Sequence, residues 1–421
     1  MDKSQQLAAH VIGQVLGGRN LAQTLEQLGR QHPQPTPQQR AATQDISYGV
    51  LRYYARLDAL LNRLISNRLD DEAVRCLLLA ALYQLEYGKA SAYAVVDHAV
   101  KAAASMKKPW AKGLVNAVLR NFLRRRATLL TEIEHDEQAR YSYPRWWINK
   151  LKQQYPQQWE SLLQAGNARP PLTLRVNRRR MSADDYLLKL EHAGLDVRRL
   201  GQDAIMLAQP VPVEKLPGFA AGEVSVQDFG AQFAAHLLDV RDGMRVLDAC
   251  CAPGGKTGHV LELADVAMTA LDSEEARLAR TRDNLQRLGL SAQLVTGDAG
   301  DPAAWWDGQP FDRILADVPC SASGIVRRHV DIKWLRREAD IANFAAQQSR
   351  ILRSLWRTLA NGGKLLYVTC SIFIEENQQQ IAAFLTEQAD ARQLAPNEPG
   401  TGQLLPCADH DGFFYALLQK I

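Results

Sequence analysis

The sequence predicts a multidomain protein with an all-α region, a small α/β linking unit and a doubly wound α/β domain built on a parallel sheet. Three observations predict this organisation. Apolar residues recur at helical spacing through residue 140, strand-like and helix-like segments alternate from residue 222 onward, and a short basic stretch separates the two. A chain of 421 residues is also too long for one ordinary core. We therefore expect domains at residues 1–140, 141–221 and 222–421.

The composition is that of a soluble globular protein, with 46% hydrophobic residues, 23% charged residues and a net charge of +4. No apolar run approaches the ~20 residues that cross a bilayer, and the first residues lack the features of a signal peptide. Six cysteines without a C-x-x-C pair favour neither a disulfide framework nor a zinc site. We expect a cytoplasmic monomer with reduced thiols, no metal and no membrane segment, although no pattern in the sequence tests the oligomeric state.

Residues 1–140 are expected to form a bundle of helices. Apolar residues recur at helical spacing from Ile46 to Leu64 and again from Ala73 to Leu85. Between helices, the segment from Gln31 to Gln39 contains three prolines, so we expect a loop there.

One surface of this region combines basic and aromatic residues. Lys107, Lys108, Trp110 and Lys112 precede a predicted helix from Gly113 that ends in three arginines. Interleaved basic and aromatic side chains favour contact with nucleic acid. The alternative is an ordinary solvated face, because cations are also favourable near the carboxyl end of a helix.

The linking unit is expected to contain a strand and a helix. Leu172 to Val176 is strand-like, and the next helix begins after Ser182, a residue type that caps helices. Arg175 and the run Arg178 to Arg180 form a four-arginine cluster of the kind that binds RNA phosphates.

The carboxy-terminal domain has the alternation of a doubly wound sheet. One predicted helix begins at Ser273 and ends at Gly289, and another runs from about Ala339 to Leu359. The carboxyl ends of parallel strands carry the ligands in such sheets. The predicted strands are Met244–Asp248, Ala267–Leu271, Gln293–Thr296, Phe311–Ala316 and Lys364–Thr369.

A glycine loop follows the first of these strands. It resembles the end of a phosphate loop, but Cys250 stands where that motif requires glycine, and the G-x-G-x-x-G spacing is also absent. Asp272, 24 residues after Asp248, closes the second strand and is positioned to accept ribose hydroxyls. A nucleoside ligand without pyrophosphate, such as S-adenosylmethionine, fits this loop better than NAD or ATP, unless the loop is purely structural.

Two cysteines follow two of the predicted strands. Cys320 lies three residues after Asp317, and Cys370 follows the strand that ends at Thr369. A single free cysteine is commonly just a buried apolar residue, but two at one edge of a sheet favour chemistry. A thiolate that adds to carbon 6 of a pyrimidine activates carbon 5, and a second acid/base group assists elimination. A carboxyl group near N3 and N4 offsets charge on the ring.

These residues carry a resemblance to the RNA cytosine-5 methyltransferases. The segments Asp248–Thr257, Asp317–Gly324 and Thr369–Ser371 resemble motifs of that family, and Ser225–Asp228 resembles its segment before the first strand. The helical region, which includes Lys112–Arg120, resembles a NusB-type RNA-binding domain. The segment Arg327–Trp334 resembles bacterial ribosomal members of the family, so the likeness spans nearly the whole chain.

The resemblance implies a Rossmann-like methyltransferase domain that uses S-adenosylmethionine and modifies a cytosine in 16S ribosomal RNA. It implies Cys370 as the nucleophile and Cys320 as the residue that assists product release, with Asp317 also catalytic. Cys251 and Val318 stand where the family usually has alanine; both are small apolar exchanges, but Cys251 adds a thiol beside the cofactor. The implied cofactor-binding residues are Cys250, Cys251, Ala252, Pro253, Gly254, Gly255, Lys256, Asp272, Asp298 and Asp317.

Two alternatives belong to other classes. The protein could methylate DNA or another base, because an Asp-x-Pro-Cys turn alone does not specify RNA. It could also be a non-catalytic RNA-binding factor that retains a methyltransferase fold. The Thr-Cys-Ser strand end and the NusB-like region favour RNA, while both thiols and all three strand-end aspartates favour catalysis.

Overall fold

The computed structural model of the protein describes residues 2–31, 35–66, 69–394 and 400–421. The chain divides into two units. The first comprises Met1–Ala168 together with Val326–Glu338, and the second comprises Arg169–Ile325 together with Ala339–Ile421. The expected domain boundaries near residues 140 and 221 stay a prediction.

The first unit is helical, as the spacing of its apolar residues predicts. Its core centres on one helix, α5, in which Leu77, Leu78 and Leu82 are completely buried. A helix that is apolar on most of its faces is expected to be surrounded by others. The helices are α1 (Asp2–Leu16), α2 (Leu21–Gln31), α3 (Pro37–Arg52), α4 (Tyr54–Leu64), α5 (Glu72–Tyr87), α6 (Ala92–Ser105), α7 (Ala111–Ile133), α8 (Glu137–Tyr141), α9 (Arg145–Gln154) and α10 (Trp159–Asn167).

The proline-rich loop is shorter than the sequence suggests. Helix α3 begins at Pro37, so the expectation that no helix could carry these prolines was wrong at that position. Proline is tolerated at the first helical position because the N–H that it lacks would have no partner there. Thr36 and Gln39 form a reciprocal capping box that fixes this start. Pro33 lies outside the described residues.

The second unit begins with a small antiparallel sheet in the order β2-β3-β1-β4. Its first strand has the predicted bounds, and the helix after it begins where Ser182 accepts a hydrogen bond from the N–H of Asp185 (3.1 Å). The elements are β1 (Leu172–Val176), α11 (Ala183–His192), β2 (Val197–Arg199), β3 (Ala204–Leu207) and β4 (Val224–Val226).

The arginine cluster beside this sheet is largely committed to contacts within the protein. Arg175 is completely buried, and its Nε and Nη2 donate to the Glu262 carboxylate at 2.9 and 2.7 Å. Arg178 and Arg179 each pair with an aspartate of the same unit. The expectation that the cluster faces RNA is therefore wrong for Arg175, whose guanidinium is enclosed by protein.

The second unit is dominated by an eight-stranded sheet in the order β10-β12-β9-β8-β5-β6-β7, with β11 paired to β12. The five predicted strands are its parallel part, from β7 to β9. The expectation of a wholly parallel sheet was incomplete, because the last three strands pair antiparallel. Antiparallel neighbours need no helical crossover. The strands are β5 (Arg245–Ala249), β6 (Ala267–Asp272), β7 (Gln293–Thr296), β8 (Phe311–Asp317), β9 (Leu359–Thr369), β10 (Ala391–Leu394), β11 (Gly402–Leu404) and β12 (Phe413–Lys420).

Helices cover both faces of this sheet, which confirms the doubly wound arrangement. One hydrophobic cluster contains residues of α16 and α17, and another contains residues of α12, α13 and α14. Among the described residues, no helix combines the length and apolarity needed to cross a bilayer. The helices are α12 (Phe229–Leu237), α13 (Gly255–Leu263), α14 (Glu275–Leu288), α15 (Ile332–Leu335, in the first unit), α16 (Glu338–Thr358) and α17 (Gln378–Glu387).

The ends of helix α14 test two predictions. Gly289 ends the helix in the left-handed conformation (φ 70°), as predicted. Ser273 is not its cap; Glu274 occupies that position without a side-chain hydrogen bond. The N–H of Glu274 instead donates to the carboxylate of Asp272 (3.3 Å), so the acid at the end of β6 also begins the helix.

Candidate active site

Two thiols meet where neighbouring parallel strands end. Strands β8 and β9 pair with Asp317 opposite Val368, so their carboxyl ends lie side by side. Cys320 follows β8 after a short turn, and Cys370 follows β9 directly. Their Sγ atoms are 3.3 Å apart. The structure therefore brings together the two cysteines that the sequence singled out.

The two thiols have different surroundings. Cys320 is buried, whereas Cys370 is half-buried. The hydrogen bond with Cys370, burial, and the negative charges of Cys370 and Glu376 raise the pKa of Cys320 well above its ordinary value. Cys320 therefore holds its proton and is the natural donor in the contact between the sulfurs. The sulfur of Cys370 is then the acceptor and the more accessible of the two.

A lysine of the glycine loop contacts the aspartate that precedes Cys320. The Nζ of Lys256 lies 2.6 Å from Oδ2 of Asp317. Burial lowers the pKa of Lys256, but the charge of Asp317, its hydrogen bond and the charge of Cys370 outweigh burial and raise it. The sequence placed Lys256 only among the cofactor-binding residues. The sequence analysis did not predict its pairing with Asp317. A signal was present, because Lys256 lies in the first turn of the helix after β5, and Asp317 ends a strand of the same predicted sheet.

The glycine loop between β5 and α13 has a tightly constrained backbone. Cys250 has a φ of 63° and Gly254 a φ of +85°, and a Cβ at Gly254 would lie 2.7 Å from Cγ2 of Thr281. Asp272 accepts a hydrogen bond from the N–H of Ala252 (3.0 Å) and is itself only 2% exposed. The structure thus shows Asp272 supporting the loop, and its binding of ribose hydroxyls stays a prediction.

Asp248 is a buried acid that the sequence reasoning did not assign to the site. Its Oδ2 accepts a hydrogen bond from the Thr257 hydroxyl (2.5 Å), and its Oδ1 has no hydrogen-bond partner in the part of the chain that the structure describes. Burial, together with the charges of Asp317 and Asp272, raises its pKa to about 7. A buried oxygen without a partner suits a bound ligand or water that donates a hydrogen bond. Together with the acids at the strand ends, it fits a cationic nucleoside such as S-adenosylmethionine.

Asp298 follows strand β7, next to β6, as predicted. Its side chain is half exposed, and its Oδ2 lies 2.9 Å from Nη1 of Arg350. Its Oδ1 also accepts from the N–H of Gly300 (2.8 Å). The sequence analysis did not predict the contact with Arg350. If Asp298 binds the cofactor, the same carboxylate must also keep this ion pair or give it up.

A separate cluster offers possible metal ligands. Asp203, His236 and His259 each present one ligand atom, and these atoms lie within 4.8 Å of one another. Arg178 pairs with Asp203, and burial together with the charge of Arg175 lowers the pKa of His259. Cations of the protein already balance this group, and the expected absence of a metal stays a prediction.

Three family models match separate parts of the chain. Residues 235–419 match the model described as 16S rRNA methyltransferase RsmB/F. Residues 143–214 match the RsmF/B-like ferredoxin-like domain, and residues 2–124 match the NusB family. The predicted NusB-like and methyltransferase regions are thereby confirmed.

Full-length relatives extend the match to nearly the entire chain. The ribosomal RNA small subunit methyltransferase B of Pseudomonas syringae pv. tomato is 47% identical over 98% of this chain and 96% of the relative. The protein of that name from Klebsiella pneumoniae is 44% identical over 98% of this chain and 97% of the relative. The crystal structure of PH0851 shares the fold, with a TM-score of 0.82 and 24% identity over 100% of this chain and 99% of the other. The chain therefore belongs to the ribosomal RNA small subunit methyltransferase B family and is a methyltransferase with a NusB-type amino-terminal domain.

Proposed function

We propose that the protein transfers a methyl group from S-adenosylmethionine to carbon 5 of a cytosine in 16S ribosomal RNA, cytosine 967 being the specific candidate. The observation that carries the proposal is the distance of 3.3 Å between the sulfurs of Cys320 and Cys370. The ion pair between Lys256 and Asp317 lies at the end of strand β8, which Cys320 follows. The names of the relatives, which specify the small ribosomal subunit, support the substrate.

The first step in this proposal is addition of a thiolate to the pyrimidine. Cys370 is the nucleophile because it is the more exposed sulfur and Cys320 retains its proton. A bond forms between its sulfur and carbon 6, and the electrons of the 5,6 double bond move toward carbon 5 and, through carbon 4, toward N3. In this proposal Asp317, which Lys256 contacts at 2.6 Å, hydrogen bonds the edge of the base and offsets charge on the ring.

Bound S-adenosylmethionine would supply the electrophilic methyl group that carbon 5 attacks. The residues proposed to hold it are the loop from Cys250 to Lys256 together with Asp272, Asp298 and Asp317. Gly254 permits the left-handed turn of this loop (φ +85°) and its close packing against Thr281 of helix α14. The base must be unstacked from its RNA neighbours to reach the thiols, as in other enzymes that modify bases.

Cys320 is the proposed base in the step that releases the product. The proton on carbon 5 must leave, and the bond between carbon 6 and the sulfur of Cys370 must then break, returning its electrons to that sulfur. While the adduct exists, Cys370 carries no negative charge, so its hydrogen bond and its charge no longer raise the pKa of Cys320, although burial and the charge of Glu376 still do. Once Cys320 has lost its proton to solvent, its thiolate can accept the proton from carbon 5 and act as the base, with its sulfur 3.3 Å from the leaving sulfur of Cys370.

A cysteine series tests this assignment with purified protein and ribosomal RNA. Cys370→Ala should abolish both methylation and the covalent adduct, whereas Cys320→Ala should accumulate an adduct visible on a denaturing gel. Cys407→Ala, which alters an exposed thiol, serves as the control. If Cys320→Ala prevents the adduct and Cys370→Ala traps it, the two roles are reversed.

Two further measurements test the substrate and the cofactor. Bisulfite sequencing of ribosomal RNA from cells with and without the gene should show one cytosine that loses its protection, and its position decides the proposal of cytosine 967. Calorimetry should detect binding of S-adenosylmethionine. Failure to bind it would favour a non-catalytic RNA-binding role.

A further inference from the structure

A buried glutamate lies beneath the two loops that carry the thiols. Glu376 is completely buried, in a short turn after strand β9. Its Oε1 accepts hydrogen bonds from the N–H of Ser321 (2.8 Å) and from Nε2 of Gln348 (3.0 Å). Its Oε2 accepts from the hydroxyls of Ser321 and Ser371, each at 2.5 Å. Four donors thus surround one carboxylate.

The two serines place this carboxylate next to both cysteines along the chain. Ser321 directly follows Cys320, and Ser371 directly follows Cys370. The loops come from different strands, so without a link each could shift independently of the other. The serine hydroxyls are also 3.1 Å apart, which closes a compact network between the loops.

The partners of the buried Glu376 carboxylate are neutral hydrogen-bond donors. Among the described residues, no lysine or arginine lies within ion-pair distance of it, so hydrogen bonds alone stabilise its buried charge. A buried carboxylate is costly unless it is fully hydrogen bonded. Because a carboxylate only accepts hydrogen bonds, it also orients both serine hydroxyls toward itself.

We propose that Glu376 is a positioning residue for the reaction, which binds Ser321 and Ser371 and thereby holds the sulfurs of Cys320 and Cys370 at reacting distance. The effect of Glu376 on methylation rests on the proposed function, whereas its effect on the distance between the two sulfurs does not. The charge of Glu376 adds a second effect, since it contributes to keeping Cys320 protonated in the free protein.

Three substitutions separate this role from plain stabilisation. Glu376→Ala removes both carboxylate oxygens and with them all four hydrogen bonds. Glu376→Gln keeps an oxygen for the N–H of Ser321 and for Gln348, while its amide can donate to the serine oxygens. Tyr367→Phe is the control, because the Tyr367 hydroxyl bonds the backbone oxygen of Glu376 and Oε1 of Gln348 but not the carboxylate. The control therefore removes buried hydrogen bonds at the same place and leaves the four donors to the carboxylate intact.

The first measurement needs neither RNA nor cofactor. The azo oxidant diamide takes two electrons and two protons from a pair of thiols, forming a disulfide and a hydrazine. Peptide mass spectrometry would follow the disulfide between Cys320 and Cys370. Misplacement of reacting groups by about 1 Å can cost about a hundredfold in rate, so Glu376→Ala should slow this coupling by about that factor. Glu376→Gln should recover most of the rate, and Tyr367→Phe should remain close to the unmodified protein.

The second measurement is the rate of adduct formation and methylation in a single turnover with saturating RNA. Glu376→Ala should lower the rate of the chemical step without weakening RNA binding, and Glu376→Gln should restore part of it. Equal coupling and methylation rates in Glu376→Ala and the unmodified protein would overturn the proposal, as would equal losses in Glu376→Ala and Tyr367→Phe. If the unmodified protein fails to modify RNA while Glu376→Ala still slows coupling, the proposed function fails and the positioning role stands.

Discussion

Single residues decide the protonation states at the strand ends. Cys320 and Asp248 are both buried, and burial favours the neutral form of each. Lys256 differs because, although burial lowers its pKa, the charge of Asp317, the hydrogen bond to it and the charge of Cys370 together outweigh burial and raise that pKa. The edge of the sheet therefore holds a protonated thiol, a lysine cation and a buried acid whose pKa is raised, which is a suitable arrangement for proton transfers.

The raised pKa of Asp248, about 7, makes a prediction about stability. Because this group holds its proton more tightly in the folded than in the unfolded protein, its stabilising contribution is complete below about pH 4 and is lost as pH rises through about 7. Asp248→Asn, which cannot ionise, should therefore show a flatter decline in stability between those limits. Thermal unfolding of both proteins across that range measures the difference.

Asp248→Asn is informative because the amide oxygen can still accept the Thr257 hydroxyl. A profile parallel to that of the unmodified protein across the entire range would contradict the assigned protonation of Asp248. Asp301→Asn, an aspartate outside this group for which the structure shows no carboxylate hydrogen bond, provides the matched control.

At the scale of elements, the loop after β8 depends on close backbone packing. The N–H of Gly324 donates to the carbonyl of Cys370 (2.9 Å), and the N–H of Gly412 donates to the carbonyl of Gly324 (2.8 Å). A Cβ at Gly324 would overlap the backbone of Gly412. The turn that begins with Cys320 is thus held against β9 and the start of β12 by contacts that only glycine permits.

Gly324→Ala should separate these backbones, lower the unfolding temperature and reduce formation of the RNA adduct. Gly113→Ala is a matched control, because a Cβ there meets nothing within 4 Å and the position lies inside helix α7. That control should stabilise the protein by about 0.5–1 kcal/mol. Thermal unfolding and adduct assays on both variants check the result, and equal behaviour would contradict the packing argument.

The basic corner before helix α7 has fewer available charges than its sequence suggests. Lys107 and Lys112 are exposed, and Trp110 is 57% exposed, whereas the Nζ of Lys108 lies 2.5 Å from the Asp71 carboxylate. That hydrogen bond is the largest influence that lowers the pKa of Asp71. Lys107 and Lys112, which form no ion pair with any described residue, and the exposed indole of Trp110 remain as the surface proposed to hold RNA.

Replacing Lys107 and Lys112 by glutamate should weaken RNA binding and reduce its dependence on salt, because fewer counterions are released on binding. Lys108→Glu should instead destabilise the first unit by placing two acids together. Filter binding at several salt concentrations, with thermal unfolding as the companion measurement, distinguishes the two effects. Unchanged affinity of the double variant would exclude this corner as an RNA contact.

At the scale of the molecule, the first unit includes a segment from far along the chain. Val326–Glu338 follows the cysteine-bearing turn in sequence but belongs to the helical unit. Lys333 in this segment is completely buried, and its Nζ donates to the carbonyls of Arg52 and Ser142 and to Oδ1 of Asn167 at 2.7, 2.9 and 2.8 Å. Asp331 accepts from the N–H of Leu21 (3.0 Å) at the start of α2. The chain therefore links its two units at more than one point in sequence.

Lys333→Met should destabilise the first unit by about 3 kcal/mol or more, because three buried acceptors lose their donor. Lys101→Met, which changes an exposed lysine paired with Asp97, should have little effect. Denaturant unfolding of both variants measures the comparison. A Lys333→Met protein as stable as the Lys101→Met control would show that these acceptors find other partners.

Local patterns predicted much of the fold and the main members of the candidate site. The strand at Leu172–Val176, the cap at Ser182 and the end of α14 at Gly289 were predicted because side-chain period and turn residues act over a few positions. Local reasoning failed where another contact took over: Glu274 rather than Ser273 precedes the first residue of α14, and its N–H donates to Asp272. It also gave no warning of the antiparallel strands that complete the sheet.

The sequence by itself determined the helical and α/β regions, the glycine loop and the positions of both thiols at strand ends. Only the tertiary structure decided which distant side chains meet: Arg175 with Glu262, Lys256 with Asp317, and Glu376 with the serines beside both thiols. Strand order and helix packing set these contacts, and all of them except the one between Glu376 and Ser371 join residues tens of positions apart. The spacing of apolar residues is a local property of the sequence. It therefore specifies where helices and strands form, but it does not specify which side chains pair with buried charges.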